Sequence, residues 1–195
     1  MTDADEPLVD RFDPAAVRES TTVHAGMVWD VVRETFALGD AGDLTREFVT
    51  HPGAVAIVAL DESDRALLIQ QYRHPIGTYE WELPAGLLDV PGEPPVECAK
   101  RELHEEADLV AASWAPLVSH HSSPGGISEI LHIFIARDLT PVPEGERHER
   151  DGEEADMPTR WAPIDEVVDA IMAGRIHNGT LIVGVLAAAE QLRRP

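Results

Sequence analysis

Residues 86–109, "GLLDVPGEPPVECAKRELHEEADL", constrain the fold most, because they join a glycine loop to a helical pattern that is rich in carboxylates. At about 100° per residue, Glu102, Glu105 and Glu106 fall on one stripe of a helix. The neighbouring face carries the apolar residues Val96, Ala99, Leu103 and Ala107. The segment therefore predicts a helix with one packed face and an adjacent face lined by carboxylates.

Carboxylates on one stripe repel each other, and like charges at i,i+4 destabilise an isolated helix by about 0.2–0.5 kcal/mol per pair. A hard divalent cation such as Mg²⁺ or Mn²⁺ would neutralise them, since these ions prefer oxygen ligands. The alternative is a solvated acidic helix face, which is common in a chain with a net charge of −21. The helix alone leaves both interpretations open.

The surrounding residues resemble the Nudix box, G-x5-E-x7-R-E-U-x-E-E-x-G-U, in which U is apolar. The matching positions are Gly86, Glu93, Arg101, Glu102, Leu103, Glu105, Glu106 and Leu109. Two departures occur: six residues instead of five separate Gly86 from Glu93, and Asp108 stands where the last glycine belongs. A loop insertion costs little free energy, and Asp tolerates the left-handed conformation required after a helix end.

Short segments rich in β-branched or aromatic residues predict a mixed sheet around this helix. Their ranges are 53–60, 66–74, 78–86, 114–121 and 129–139, and two further helices are predicted over 163–174 and 179–194. The resemblance implies an α/β (α+β) fold, the Nudix α/β/α sandwich. We predict a flexible acidic lead-in over residues 1–20, an N-terminal β-rich hairpin unit over 21–52 that serves dimerisation, and a Nudix hydrolase domain over 53–195.

The similarity extends to the ADP-ribose pyrophosphatases of the same family. "HPGAVAIVAL", "LLIQQYRHP" and "WELPAGLLD" are similar to the segments that precede the box in those enzymes, and "SSPGG" places Pro124 sixteen residues after Asp108. The resemblance implies hydrolysis of ADP-ribose to AMP and ribose 5-phosphate, with Mg²⁺ or Mn²⁺ as cofactor. Another nucleoside diphosphate sugar, a dinucleotide, or a non-catalytic ADP-ribose sensor are the alternatives.

The resemblance also assigns roles within the box and in a later loop. The implied metal ligands are the carbonyl of Ala85 and the carboxylates of Glu102, Glu105 and Glu106. Arg101 would hold these carboxylates by salt bridges, and Gly86 and Glu93 would shape the loop. The general base is expected at Glu153 or Glu154 in the charged loop 140–156, with Asp156 less favoured and Glu105 as a further catalytic carboxylate.

Substrate contacts are implied outside the box. Arg73 would bind a phosphate or ribose, since a guanidinium offers forked donors, while Glu82 and Glu129 would accept from ribose hydroxyls. Pro124 and Gly125 belong to the subfamily loop. Trp29, placed on an N-terminal strand, would stack on adenine across the interface of a homodimer; a buried core Trp is the alternative.

Charge and cysteine content limit the other functions. A net charge of −21 argues against broad contacts with nucleic acid or an anionic membrane, which need clustered Lys and Arg. The N-terminus is acidic and the single cysteine, Cys98, lies on the apolar helix face, so we expect it to pack in a core. These features predict a cytoplasmic protein.

Overall fold

The computed structural model describes residues 7–150 and 157–194. Two compact units divide the chain, residues 1–50 and residues 51–195. The strands are β1 (Ala16–His24), β2 (Val31–Ala37), β3 (Asp43–Val49), β4 (Ala54–Ala59), β5 (Arg65–Arg73), β6 (Thr78–Glu82), β7 (Ala85–Leu87), β8 (Leu109–His121), β9 (Ile130–Pro141) and β10 (Thr159–Pro163). The helices are α1 (Pro95–Ala107), α2 (Ile164–Met172) and α3 (Gly179–Arg193). No helix within the described ranges is long and apolar enough to span a bilayer.

The first unit is a three-stranded antiparallel sheet in the order β1-β2-β3. The predicted hairpin and the predicted lead-in over residues 1–20 are both wrong in detail, because β1 begins at Ala16. All nine residues of β1 are exposed. Its sequence shows no regular alternation of apolar and polar residues that would indicate a strand. Its pairing with β2 defines it as a strand, although its sequence does not indicate one.

The second unit contains the predicted mixed sheet, in the order β7-β4-β9-β8. Strands β4 and β9 are parallel, whereas β7 and β8 are antiparallel to their neighbours. A separate antiparallel sheet has the order β10-β5-β6. The strand β10 was not predicted, because its five residues "TRWAP" show no alternation and lie directly between the charged loop and α2.

Strand β4 is buried on both faces, which divides the core into two layers. One face packs against the C-terminal helices, where Val58 joins Val167 and Val185. The other face packs against α1, where Ile57 joins Cys98 and Leu103. This arrangement confirms the α/β/α sandwich and the packing role expected of Cys98.

Candidate active site

The box begins at β7, which lies directly against the carboxylate stripe of α1. A Cβ atom added to Gly86 would lie 2.0 Å from Cδ of Glu102. Any side chain at this position would displace the Glu102 carboxylate. The glycine of the box therefore leaves room for the Glu102 carboxylate in its present position, and it does not serve a left-handed backbone.

Arg101 lies at the centre of the acidic cluster. Its Nη1 donates to Oε1 of Glu102 at 2.6 Å and to Oε2 of Glu105 at 3.2 Å. Its Nε and Nη2 donate to the two oxygens of Glu93 at 3.2 and 3.1 Å. One guanidinium thus joins the loop carboxylate to two carboxylates of the helix.

Glu106 makes a different contact. Its side chain is 5% exposed, and Oε2 accepts from the N–H of Ala85 at 2.8 Å. The Ala85 group that contacts the box is therefore the amide, while its carbonyl remains a predicted metal ligand. Four carboxylates and one guanidinium leave three negative charges in this cluster.

The side chains of Glu102, Glu105 and Glu106 fit a hard divalent cation, because all three offer carboxylate oxygens. Glu105 and Glu106 also lie in the last turn of α1, where the helix dipole disfavours negative charge and adds to the demand for a cation. Within residues 7–150 and 157–194, no three His, Cys, Asp or Glu side chains converge as a preformed metal centre. The ligand set stays a prediction.

The hydrogen bonds within the cluster affect its ionisation. Those from Arg101 hold the pKa of Glu93 below its usual value, and those accepted by Glu93 raise the pKa of Arg101. Both groups stay charged near neutral pH. Burial raises the pKa of the Cys98 thiol to about 12, so it remains protonated and donates weakly to the carbonyl of Leu87 at 3.4 Å. A thiol in this state is no nucleophile.

Arg73 and Glu82, predicted as separate substrate contacts, are bound to each other. Nε and Nη2 of Arg73 donate to the two oxygens of Glu82 at 2.7 and 2.6 Å. The Glu82 side chain is 5% exposed and that of Arg73 is 44% exposed. A buried carboxylate thus fixes the orientation of a guanidinium that still reaches the surface.

Glu129 precedes β9 at the end of the strands where the box begins, since Ala54 pairs with Leu131 of β9 and with Leu87 of β7. His51, which sequence reasoning missed, adjoins it. Its Nδ1 accepts from the N–H of Gly53 at 3.1 Å, so Nε2 carries the proton of the neutral ring and lies 3.5 Å from Oε1 of Glu129. No motif spacing marks this contact, because 78 residues separate the pair.

The loop that contains Pro124 and Gly125 leads into β9 and is exposed. It forms a turn in which the amides of Gly126 and Ile127 both donate to the carbonyl of Ser123 at 3.0 Å. The turn shortly precedes Glu129 in the chain. Its small, exposed residues leave room for the close approach of a ligand.

Two groups of predicted site residues do not belong to the described part of the second unit. Trp29 belongs to the first unit and lies in the connection between β1 and β2, not on a strand as predicted. It is 47% exposed, which excludes the alternative of a buried core Trp. Glu153, Glu154 and Asp156 lie outside the described residues.

The C-terminal cap of α1 has the left-handed conformation that the sequence predicts at Asp108. Asp108, at the position of the last box glycine, adopts the left-handed conformation with φ 52°. Its amide makes a last i→i−4 bond to the carbonyl of His104 at 3.1 Å, and the left-handed backbone then ends the helix. The departure from the box pattern therefore preserves the cap geometry.

The sequence pattern that defines the NUDIX domain matches residues 50–181. The chain belongs to the Nudix hydrolase family. It is 44% identical over 168 residues to an ADP-ribose pyrophosphatase of Mycobacterium tuberculosis, covering 86% of this chain and 80% of that protein. It is 35% identical to an ADP-ribose pyrophosphatase of Bacillus subtilis, covering 63% and 65%. Nudix hydrolases generally need divalent metal ions.

A solved structure shows the same fold. The crystal structure of an ADP compounds hydrolase matches with a TM-score of 0.77, covering 95% of this chain and 97% of the other. Their sequence identity is 23%. The fold shared with that structure thus extends over nearly the whole chain.

Proposed function

We propose that this Nudix hydrolase cleaves the pyrophosphate bond of ADP-ribose with water to give AMP and ribose 5-phosphate. The observation that carries the proposal is the acidic cluster of Glu93, Glu102, Glu105 and Glu106 around Arg101. The similarity to two ADP-ribose pyrophosphatases selects the substrate. The reaction breaks one P–O bond of the diphosphate and forms another to the oxygen of water.

The residues proposed to hold Mg²⁺ or Mn²⁺ are Glu102, Glu105, Glu106 and the carbonyl of Ala85. When bound, the cation would neutralise the diphosphate and lower the pKa of a coordinated water. The three residual negative charges of the cluster favour such a cation. Arg101 fixes Glu102 and Glu105 on one side, while the amide of Ala85 fixes Glu106 on the other.

Arg73 is proposed to bind a substrate phosphate, with Glu82 orienting its guanidinium. This differs from the ribose contact predicted for Glu82, since both of its oxygens already accept from Arg73. Glu129 is proposed to accept from a ribose hydroxyl, next to the loop of Pro124 and Gly125. The cytoplasm is the compartment that we propose, in line with a single, buried thiol.

A substrate panel tests the proposed function. With Mg²⁺ or Mn²⁺, we expect ADP-ribose to be hydrolysed with a higher kcat/KM than GDP-mannose, UDP-glucose or diadenosine polyphosphates, with AMP and ribose 5-phosphate as products. A higher kcat/KM for one of the others would assign the pocket to that substrate. Binding of ADP-ribose without hydrolysis by either metal would instead indicate a sensor.

We also propose that the functional unit is a C2 homodimer. Within residues 7–50, Val32 is the single buried residue, so this sheet has no core of its own. Val17, Met27, Val28, Trp29 and Leu38 are all exposed. Such a sheet requires a further surface to cover it, and in ADP-ribose pyrophosphatases that this chain resembles the N-terminal unit is exchanged between protomers.

A subunit-complementation experiment tests whether Trp29 serves the partner's site. We expect Trp29→Ala to raise the KM for ADP-ribose about tenfold, the loss of one base-stacking contact. Co-expressing this variant with an inactive Glu106→Gln chain should restore sites of normal KM, because the Trp29→Ala protomer then receives Trp29 from its partner.

The matched control is the Trp29→Ala, Glu106→Gln double variant co-expressed with the wild type, in which mixed dimers contain no repaired site. Light scattering of the wild type should give a dimer at micromolar concentration. A monomer, or mixed dimers without the normal-KM component, would contradict the exchanged arrangement.

A further inference from the structure

The end of α1 carries a contact that the Nudix box pattern does not contain. Oδ2 of Asp108 lies 2.6 Å from Nη2 of Arg150, and Nε of Arg150 donates to the main-chain carbonyl of Glu105 at 2.7 Å. The two side chains are 20% and 23% exposed. Arg150 thus holds both the cap residue and the last turn of the helix.

The contacts of Arg150 with Glu105 and Asp108 have separate physical reasons. The carbonyl of Glu105 is among the last four of α1, which have no partner within the helix. A cation at this end also interacts favourably with the helix dipole. A glycine at position 108 would keep the cap conformation but would offer no carboxylate to Arg150.

The contact bridges two distant parts of the sequence. Arg150 and Glu105 are separated by 45 residues. Arg150 is the last described residue of the charged loop before residue 157. Glu105 and Glu106, the last two box carboxylates, lie within three residues of Asp108.

We propose that Asp108 and Arg150 form a helix-end clip that positions the box carboxylates for hydrolysis, so that Asp108 is a functional replacement for the box glycine. The inference rests on the proposed function. The clip fixes the last turn of α1 relative to the charged loop. Both residues act through Glu105 and Glu106, and neither touches substrate.

Asp108→Gly is the discriminating variant, because it restores the family's residue and removes the clip without straining the backbone. We expect its melting temperature to stay close to wild type, its kcat to fall roughly tenfold and its KM for ADP-ribose to change little. Mn²⁺ binding, followed by the loss of the free-ion EPR signal, should weaken about tenfold. Asp108→Asn, which tolerates the same φ and keeps a polar oxygen beside Arg150, should lose less in both measurements.

Asp64 provides a matched control in the same chain. It also adopts a left-handed conformation, with φ 54°, and it pairs with Arg137 at 2.7 Å across 73 residues. It lies on the turn between β4 and β5, outside the box sequence. Asp64→Gly should leave kcat and Mn²⁺ affinity unchanged.

The double variant Asp108→Gly, Arg150→Ala completes the test. If the two residues act as one unit, it should lose no more activity than Arg150→Ala alone. Wild-type kcat and Mn²⁺ affinity in Asp108→Gly would overturn the clip. A wild-type protein that fails to hydrolyse ADP-ribose would instead overturn the proposed function, while weaker Mn²⁺ binding by Asp108→Gly would still support the clip.

Discussion

Replacing Glu106 by Gln is expected to lower kcat roughly 100-fold or more while the fold stays intact. The amide oxygen of Gln can still accept from the N–H of Ala85, the contact that Glu106 makes at 2.8 Å. What disappears is one negative charge at a position that is 5% exposed. A divalent cation would lose a ligand charge in a poorly hydrated place, where electrostatic interactions are strong.

The measurement is kcat at saturating ADP-ribose over a titration of Mg²⁺ and Mn²⁺, with thermal unfolding followed by circular dichroism. Glu97→Gln on the same helix is the matched control, since Glu97 is half exposed and pairs with Lys100. We expect the control to keep wild-type kcat. A Glu106→Gln enzyme with near wild-type kcat would remove Glu106 from the metal ligands.

Features encoded by neighbouring residues could be predicted from the sequence. Helix α1, its carboxylate stripe and the packed Cys98 all follow from a period of 3.6 residues, and the structure confirms the helix and the burial. The left-handed Asp108 follows from its place after the helix and from the backbone preferences of Asp. Such features depend only on residues within one turn or on one face of a helix.

Contacts between distant residues escaped the sequence analysis. Nothing in the local pattern around Arg73 or Glu82 indicates that they bind each other, because the two residues are not opposite each other in the pairing of β5 and β6 and meet only in the folded sheet. His51 and Arg150 reach their partners only after the chain has folded. The polar strand β1 was missed for a related reason, since strand pairing and not apolar periodicity defines it.

The general base is the second position at which we expect a large effect. A positioned base contributes about 10²–10⁴-fold to a rate. Glu153→Gln and Glu154→Gln, made separately, should therefore give one variant with a kcat reduced about 100-fold or more and one that is nearly unaffected. Glu149→Gln, an exposed glutamate that precedes them in the same charged loop, is the matched control and should keep wild-type kcat.

The pH dependence separates a lost base from a damaged site. Without its base, the enzyme depends on hydroxide, so kcat of the impaired variant should rise about tenfold per pH unit above neutrality while the wild-type rate levels off. A variant that is impaired through misfolding or poor metal binding would keep the wild-type profile at a lower rate. If both loop variants match the control, the base is another residue. Asp156 of the same loop and Glu105 are then the residues to replace, and the Glu105 carboxylate belongs to the box and is 30% exposed beside Arg101.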